Sequence, residues 1–175
     1  NNLDLGAIKV YKDVPEVEGD DTLFTFEIYR IGDNGRILVD SLTVKDEHNS
    51  SVRVPSGTYY VYEVPMVGYS TETRTKMVIV EQGEISEVRF INELDPSPVP
   101  EVIIHKDVPE VSGDETLFDF YIFEIINDVR YPVNEEPIQI ADENYESIEL
   151  PAGYYAIWEE EEDGYTPDEQ LQYVE

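Results

Sequence analysis

The chain has 175 residues, of which 40 are Asp or Glu and only 11 are Lys or Arg, so its formal charge is −29. A surface so acidic repels nucleic acid and anionic membrane, and it favours solubility in a salty, well-screened medium. Cysteine is absent, which excludes disulfides and thiolate metal sites without fixing a compartment.

No apolar run approaches the ~20 residues of a membrane span, no signal peptide is read at the head of the chain, and the sequence starts at Asn1 as if cut from something longer. Ala7 to Lys12 alternates as a strand does, with Ile8, Val10 and Lys12 on one face and Ala7, Lys9 and Tyr11 on the other. Asp13 to Asp21 reads as a loop. Leu23 to Arg30 is the clearest strand, with Phe24, Phe26 and Ile28 inward and Thr25, Glu27 and Tyr29 outward. Residues 32–35, Gly-Asp-Asn-Gly, make a turn. Ile37 to Val44 is a strand, Asp46 to Ser50 a turn, Ser51 to Val54 a short extended piece. Pro55 to Gly57 turns the chain into the strand Thr58 to Val64, and a loop with Pro65 and Gly68 follows. Lys76 to Val80 and Ile85 to Asn92, joined across Glu81 to Glu84, look like a hairpin.

No segment sustains a helical period. Short strands with regular turn signals argue for an antiparallel β-sandwich. Asp95 to Pro100, DPSPVP, reads as a short semi-rigid spacer of polyproline character that holds two domains end to end.

The plan then starts again. KDVPEVEGDDTLFTF, from Lys12 to Phe26, returns as KDVPEVSGDETLFDF from Lys106 to Phe120, identical at twelve of fifteen positions. Gly57 to Glu63 answers to Gly153 to Glu159, and Gly68-Tyr69 to Gly164-Tyr165. A period of about ninety-five residues is a whole domain, not a solenoid unit. The expected division is therefore a first sandwich over 1–94, a linker over 95–100, and a second sandwich over 101–175 that lacks its last strands, since no counterpart of Ile85 to Asn92 is read. Val102, Ile104 and Lys106 share a face, as do Phe118, Phe120 and Ile122.

Strand parity exposes three polar residues on apolar rows. Lys12 follows Ile8 and Val10, Glu63 follows Tyr59 and Val61, and Asn92 follows Val88 and Phe90. In the second copy Lys106 follows Ile104, and Glu159 follows Tyr155 and Ile157. Desolvation lowers a buried lysine's pKa and raises a buried glutamate's. A neutral amine is a nucleophile, and a protonated carboxyl polarises an amide. Lysine, acid and carboxamide are the ingredients of an intramolecular amide bond formed with loss of ammonia. The competing reading is that the lysine and glutamate reach water as a surface ion pair worth ~0–1 kcal/mol.

These residues carry a resemblance. Gly6 to Lys12, Phe24 to Phe26, Pro55 to Tyr59 with Glu63, Gly68-Tyr69, and Val88 to Asn92 together resemble the collagen-adhesin B-type repeat, also found as SpaA-like major-pilin domains of Gram-positive bacteria. The resemblance implies two tandem prealbumin-like, or inverse immunoglobulin-like, sandwiches. It implies a Lys12–Asn92 isopeptide bond promoted by Glu63. In the second copy Lys106 and Glu159 match the motif, and no asparagine matches Asn92, so that cross-link is incomplete. It further implies stalk or spacer repeats of an adhesin or pilin-like protein on the bacterial cell surface, anchored to the wall. The expected partners are other domains of the same surface protein. The chain is not a turnover enzyme on this reading, and it needs no metal or other cofactor.

The alternative is a module that binds a host matrix protein or glycan through an aromatic patch around Tyr60, Tyr62 and Trp158. Weaker candidates remain. Lys9 points outward, and His48 and His105 read as surface residues. Asp20-Asp21, Asp33-Asn34 and the stretch Asp142 to Asn144 have oxygen ligands suited to Ca²⁺ but lack EF-hand spacing. Glu160 to Asp163 reads as solvated.

Overall fold

The computed structural model describes residues 4–32, 35–97, 99–109, 115–167 and 169–175. Every regular element among them is a strand. The turn expected at 32–35 is centred on residues outside the described set. The chain divides into two compact units, Asn1–Ser97 and Pro98–Glu175, so the boundary falls within the proline-rich stretch.

In the first unit β1 (Leu5–Asp13) lies between β4 (Asn49–Pro55), antiparallel, and β8 (Ile85–Ile91), parallel. The second sheet runs β3 (Gly35–Val44), β2 (Phe24–Gly32), β5 (Gly57–Glu63), β7 (Thr75–Val80), all antiparallel. A two-residue pair, β6 (Tyr69–Ser70) with β9 (Glu93–Leu94), closes one end. The inner faces share one core: Ile8 and Val10 of β1, Val54 of β4 and Phe90 of β8 meet Phe24, Phe26, Ile28, Tyr59 and Val61, all fully buried.

Three expectations are corrected here. β7 and β8 are not a hairpin: β7 pairs β5 in one sheet and β8 pairs β1 in the other, so Glu81 to Glu84 crosses between layers. The sandwich is mixed rather than purely antiparallel, because β8 runs beside β1 in the same direction. The turn after Asp46 is shorter than expected, since β4 already begins at Asn49. The crossing is tight. A Cβ on Gly6 would meet the Glu81 carbonyl oxygen at 2.3 Å and Val80 Cγ1 at 2.6 Å, so only glycine lets β1 pass under this connection.

In the second unit β10 (Glu101–Lys106) pairs β14 (Asn144–Glu149). Its other sheet is built on β11 (Leu117–Ile126), flanked by β12 (Val129–Pro132) and β13 (Ile138–Ala141) on one edge and by β15 (Tyr155–Glu159) then β16 (Leu171–Val174) on the other. The expected loss of its last strands is corrected in part: β16 pairs β15 as β7 pairs β5. Shared contacts follow the sequence repeat. Tyr69 and Tyr165 each stand edge-on to Phe24 and Phe118, at 5.0 and 5.1 Å between ring centroids. Gly68 and Gly164, just before them, have φ of +83° and +93°, a conformation glycine adopts without steric cost.

Candidate functional site

The site is assembled by register. Lys12 sits opposite Phe90 in the parallel β1–β8 ladder, and the Asn92 amide continues that ladder by donating to the Asp13 carbonyl at 3.0 Å. Both polar side chains therefore leave the same end of the same sheet. Glu63 comes from the other layer, opposite Phe26 on β2. The three meet inside the apolar core: Lys12, Glu63 and Asn92 are 1%, 0% and 2% exposed.

Lys12 Nζ lies 3.5 Å from Glu63 Oε1 and 4.2 Å from the centre of the Phe24 ring. Asn92 Nδ2 donates to the same Glu63 Oε1 at 2.6 Å. Lys12 Nζ, Glu63 Oε2 and Asn92 Oδ1 have no hydrogen-bond partner at all. Leaving a buried polar atom unpaired costs about 1–3 kcal/mol, more for a charged group. Three such atoms converging at one point are costly for stability and suit reaction chemistry instead.

Electrostatics point the same way. Burial pushes the Lys12 ammonium below its usual value, against the pull of Glu63, Asp46 and Asp13. Burial also pushes the Glu63 carboxyl up, against Lys12, Asn92 and Arg74. Moving one proton from Lys12 to Glu63 turns a buried ion pair into a neutral amine and a neutral acid at no change in total charge. The products are a nucleophile and a hydrogen-bond donor beside a carboxamide.

The second unit keeps part of the arrangement. Lys106 Nζ and Glu159 Oε1 are 2.6 Å apart, each side chain 11% exposed, and Lys106 lies 4.2 Å over the Phe118 ring. Among the described residues no strand pairs β10 as β8 pairs β1, and Gln172 and Glu169 line the pocket beside Lys106 and Glu159.

The remaining candidates sit elsewhere. Lys9 Nζ lies over the Tyr11 ring at 4.8 Å. His48 and His105 are exposed. Asp20 accepts from the Thr22 amide and from Tyr69 Oη, and Asp21 pairs with Lys45 at 2.8 Å. Asp33 and Asn34 lie outside the described residues. Among the described residues no three His, Cys, Asp or Glu side chains are grouped to hold a metal. The aromatic patch is corrected: Tyr62 is fully buried, and Tyr60 is half-buried with the Arg36 guanidinium 3.8 Å above its ring. Trp158 is also half-buried, against Tyr121.

Sequence reasoning missed the inward role of one aspartate per unit. Asp46 Oδ1 accepts the Val14 amide at 2.6 Å, and Asp142 Oδ1 accepts the Val108 amide at 2.6 Å. Each pins the chain just after the lysine strand. The signal was present as an Asp-Glu pair repeated at positions 46–47 and 142–143, with Glu47 and Glu143 both in the left-handed region at φ of 56° and 59°.

No family model and no curated protein matches the chain. Among solved structures it is similar to the Bacillus anthracis TIE protein, at 19% identity and a TM-score of 0.42, covering 98% of this chain and 31% of that one. It is similar to a streptococcal ancillary pilin at 14% identity and a TM-score of 0.42, covering 99% of this chain and 59% of that one. It is also similar to the shaft pilin SpaA from Lactobacillus rhamnosus GG, at 12% identity and a TM-score of 0.36, covering 94% and 88%. The chain thus spans less than two thirds of the first two. Two of the three are pilins.

Proposed function

We propose that the first unit closes on itself through one amide bond, Lys12 Nζ to Asn92 Cγ, and that the chain is a pair of tandem B-type sandwiches serving as stalk repeats of a pilin-like or adhesin protein on a bacterial surface. The observation that carries this is the meeting of Lys12, Glu63 and Asn92, dry and incompletely paired, at the end of two parallel strands.

The chemistry balances. Lys12, having passed a proton to Glu63, attacks the Asn92 carboxamide carbon. Protonated Glu63 donates to Asn92 Oδ1 once that carboxamide has turned its oxygen toward the acid. The new C–N bond forms and the old one breaks. Glu63 carries a proton from the lysine nitrogen to the departing nitrogen, which leaves as ammonia. The reaction happens once per molecule, so it is not turnover catalysis.

The mechanical consequence follows from topology. β1 and β8 are parallel neighbours, so the chain enters the unit at Leu5, at one pole, and leaves past Asn92 at the other. With the bond in place, tension passes up β1 to Lys12, across the amide and out at Glu93. The intervening ring of about eighty residues carries no load. Single-molecule stretching tests this. At ~3.3–3.6 Å per residue the ring hides roughly 270 Å of contour length. Stretching should release length from outside the ring only; release of that hidden length would contradict the proposal.

A further inference from the structure

The outer face of the larger sheet differs between the two units. In the second, Phe118, Phe120 and Ile122 of β11 and Tyr155 and Ile157 of β15 belong to the core, so Tyr121, Phe123, Ala156 and Trp158 lie on the opposite face. Register sets Tyr121 beside Trp158 and lines up Phe123, Ala156 and Tyr173 in the next row. The rings stand in two pairs. Tyr121 and Trp158 are 5.7 Å apart between centroids and inclined by 33°, and Tyr154 is stacked on Tyr173 at 5.8 Å and 13°. Tyr154 and Tyr173 are 44% and 52% exposed. The face is open in the first unit too: Met77, at the register position of Tyr173, is 59% exposed.

The first unit shows what such a face holds. Arg36 lays its guanidinium 3.8 Å above the Tyr60 ring, and Tyr29, beside Tyr60 in register, donates to the buried carboxylate of Glu27. The matching arginine of the second unit is Arg130, which faces Ile125 as Arg36 faces Ile31. It donates instead to Tyr173 Oη, at 3.2 Å. The one other Lys or Arg between Pro98 and Glu175 is Lys106, committed to Glu159. The Tyr121–Trp158 pair is therefore an aromatic seat that its own unit does not fill with a cation.

Charge decides what suits it. Residues 98–175 hold 22 Asp or Glu against those two basic residues. Two of the acids close one end of the seat. The Glu160 amide donates to the Asp119 carbonyl at 2.9 Å, which sets both residues next to Tyr121 and Trp158 on their strands. Desolvation raises the pKa of the Tyr121 phenol, and Glu160, Asp119 and Glu136 raise it further, so their charge is felt at the ring. The same place in the first unit is uncharged, where the Val64 amide donates to the Thr25 carbonyl at 2.9 Å.

We propose that this outer face of β11, β15 and β16 is a docking surface for a cationic polypeptide segment, with an arginine laid over Tyr121 and Trp158 beside Asp119 and Glu160 and apolar side chains on the Phe123–Ala156–Tyr173 row. A guanidinium over a Trp or Tyr face gains from the ring quadrupole, and the field of the acidic unit draws it in. A second copy of the chain is a poorer occupant, because two chains of charge −29 repel. A neutral glycan would use the rings and leave the carboxylates without a counter-charge. Docking here does not depend on the bond between Lys12 and Asn92.

Trp158 is the chain's single tryptophan, so its fluorescence reports on this face alone. The test titrates the full chain with a capped peptide GRVRVRVG, with its glutamate analogue GEVEVEVG, and with cellohexaose. The arginine peptide should change the Trp158 emission saturably, and added salt should weaken it. Asp119→Asn with Glu160→Gln, which keeps an acceptor for Gln139, should weaken binding about 2- to 30-fold, as expected for two exposed ion pairs. Glu146→Gln with Glu149→Gln on β14 removes equal charge from the other sheet and should leave affinity unchanged; melting curves check that both variants fold. A flat signal, an equal response to the glutamate peptide, or equal weakening by the β14 pair would overturn the proposal. So would a Trp158 response to cellohexaose alone, which assigns the face to a neutral sugar, or self-association that shifts Trp158 emission without peptide.

Discussion

Asn92→Ala removes the acceptor carbon and nothing else that reacts. Lys12 and Glu63 lie 3.5 Å apart and so keep one another as partners, while Glu63 also loses the hydrogen bond from Asn92 Nδ2, so the loss is the missing ring plus that bond. Closing a loop of about eighty residues restricts the unfolded chain by roughly 4–5 kcal/mol in the chain-entropy treatment developed for disulfides. For a unit of this size each kcal/mol moves the melting temperature by ~4–8 °C, so losing the ring should lower the melting of the first unit by about 16–40 °C. Calorimetry reads the shift, and intact mass checks that the variant retains its full sequence mass while the natural chain is one ammonia lighter. Lys12→Arg should reproduce both results, because a guanidinium stays charged and does not attack. A melting shift of only a few degrees in either variant would refute the reasoning.

The same variant leaves both ionisable groups free to titrate, and their pH slopes oppose. Glu63 holds its proton more tightly when folded, so its contribution is complete below the ordinary value of 4.5 and is lost as pH rises through the raised folded value. Lys12 holds its proton less tightly when folded, so stability climbs with pH from its depressed folded value toward 10.5. Urea midpoints of Asn92→Ala should trace a trough between those windows, and adding Lys12→Met with Glu63→Leu should flatten it; a trough that persists would contradict the assignment. Gly6→Ala should destabilise the first unit by about 1–3 kcal/mol, since the added carbon meets backbone atoms that must shift; a neutral effect in denaturant titration would show that the layer crossing is loose. Asp46→Ala should cost about 1–3 kcal/mol by orphaning the Val14 amide, and Asp46→Asn, which keeps an acceptor, should cost less; equal losses would argue against that hydrogen bond.

Much of the site was legible because strands have a period of two. Once Ile8 and Val10 face the core, Lys12 must follow them, and the same parity turns Glu63 and Asn92 inward. The layer that each strand joins was not legible. Val78 and Val80 alternate just as Val88 and Phe90 do, and a four-residue connection serves a hairpin or a crossing equally well, so β7 and β8 looked like partners. The outer face of the β2–β5 sheet misled for another reason. Glu27, Tyr29 and Tyr62 stand on outward positions yet are buried, Tyr29 Oη donating to Glu27, because large neighbours cover one another there. Asp46 looked like a turn residue and is one, but its carboxylate turns inward to hold β1's end, a long-range partner that local pattern does not announce.

The most direct measurement is the mass of the intact, unmodified chain, followed by sequencing of its proteolytic fragments. The account requires one ammonia fewer than the sequence dictates and a branched fragment joining the peptide of Lys12 to the peptide of Asn92. A full sequence mass, with both peptides recovered as linear species, would contradict it.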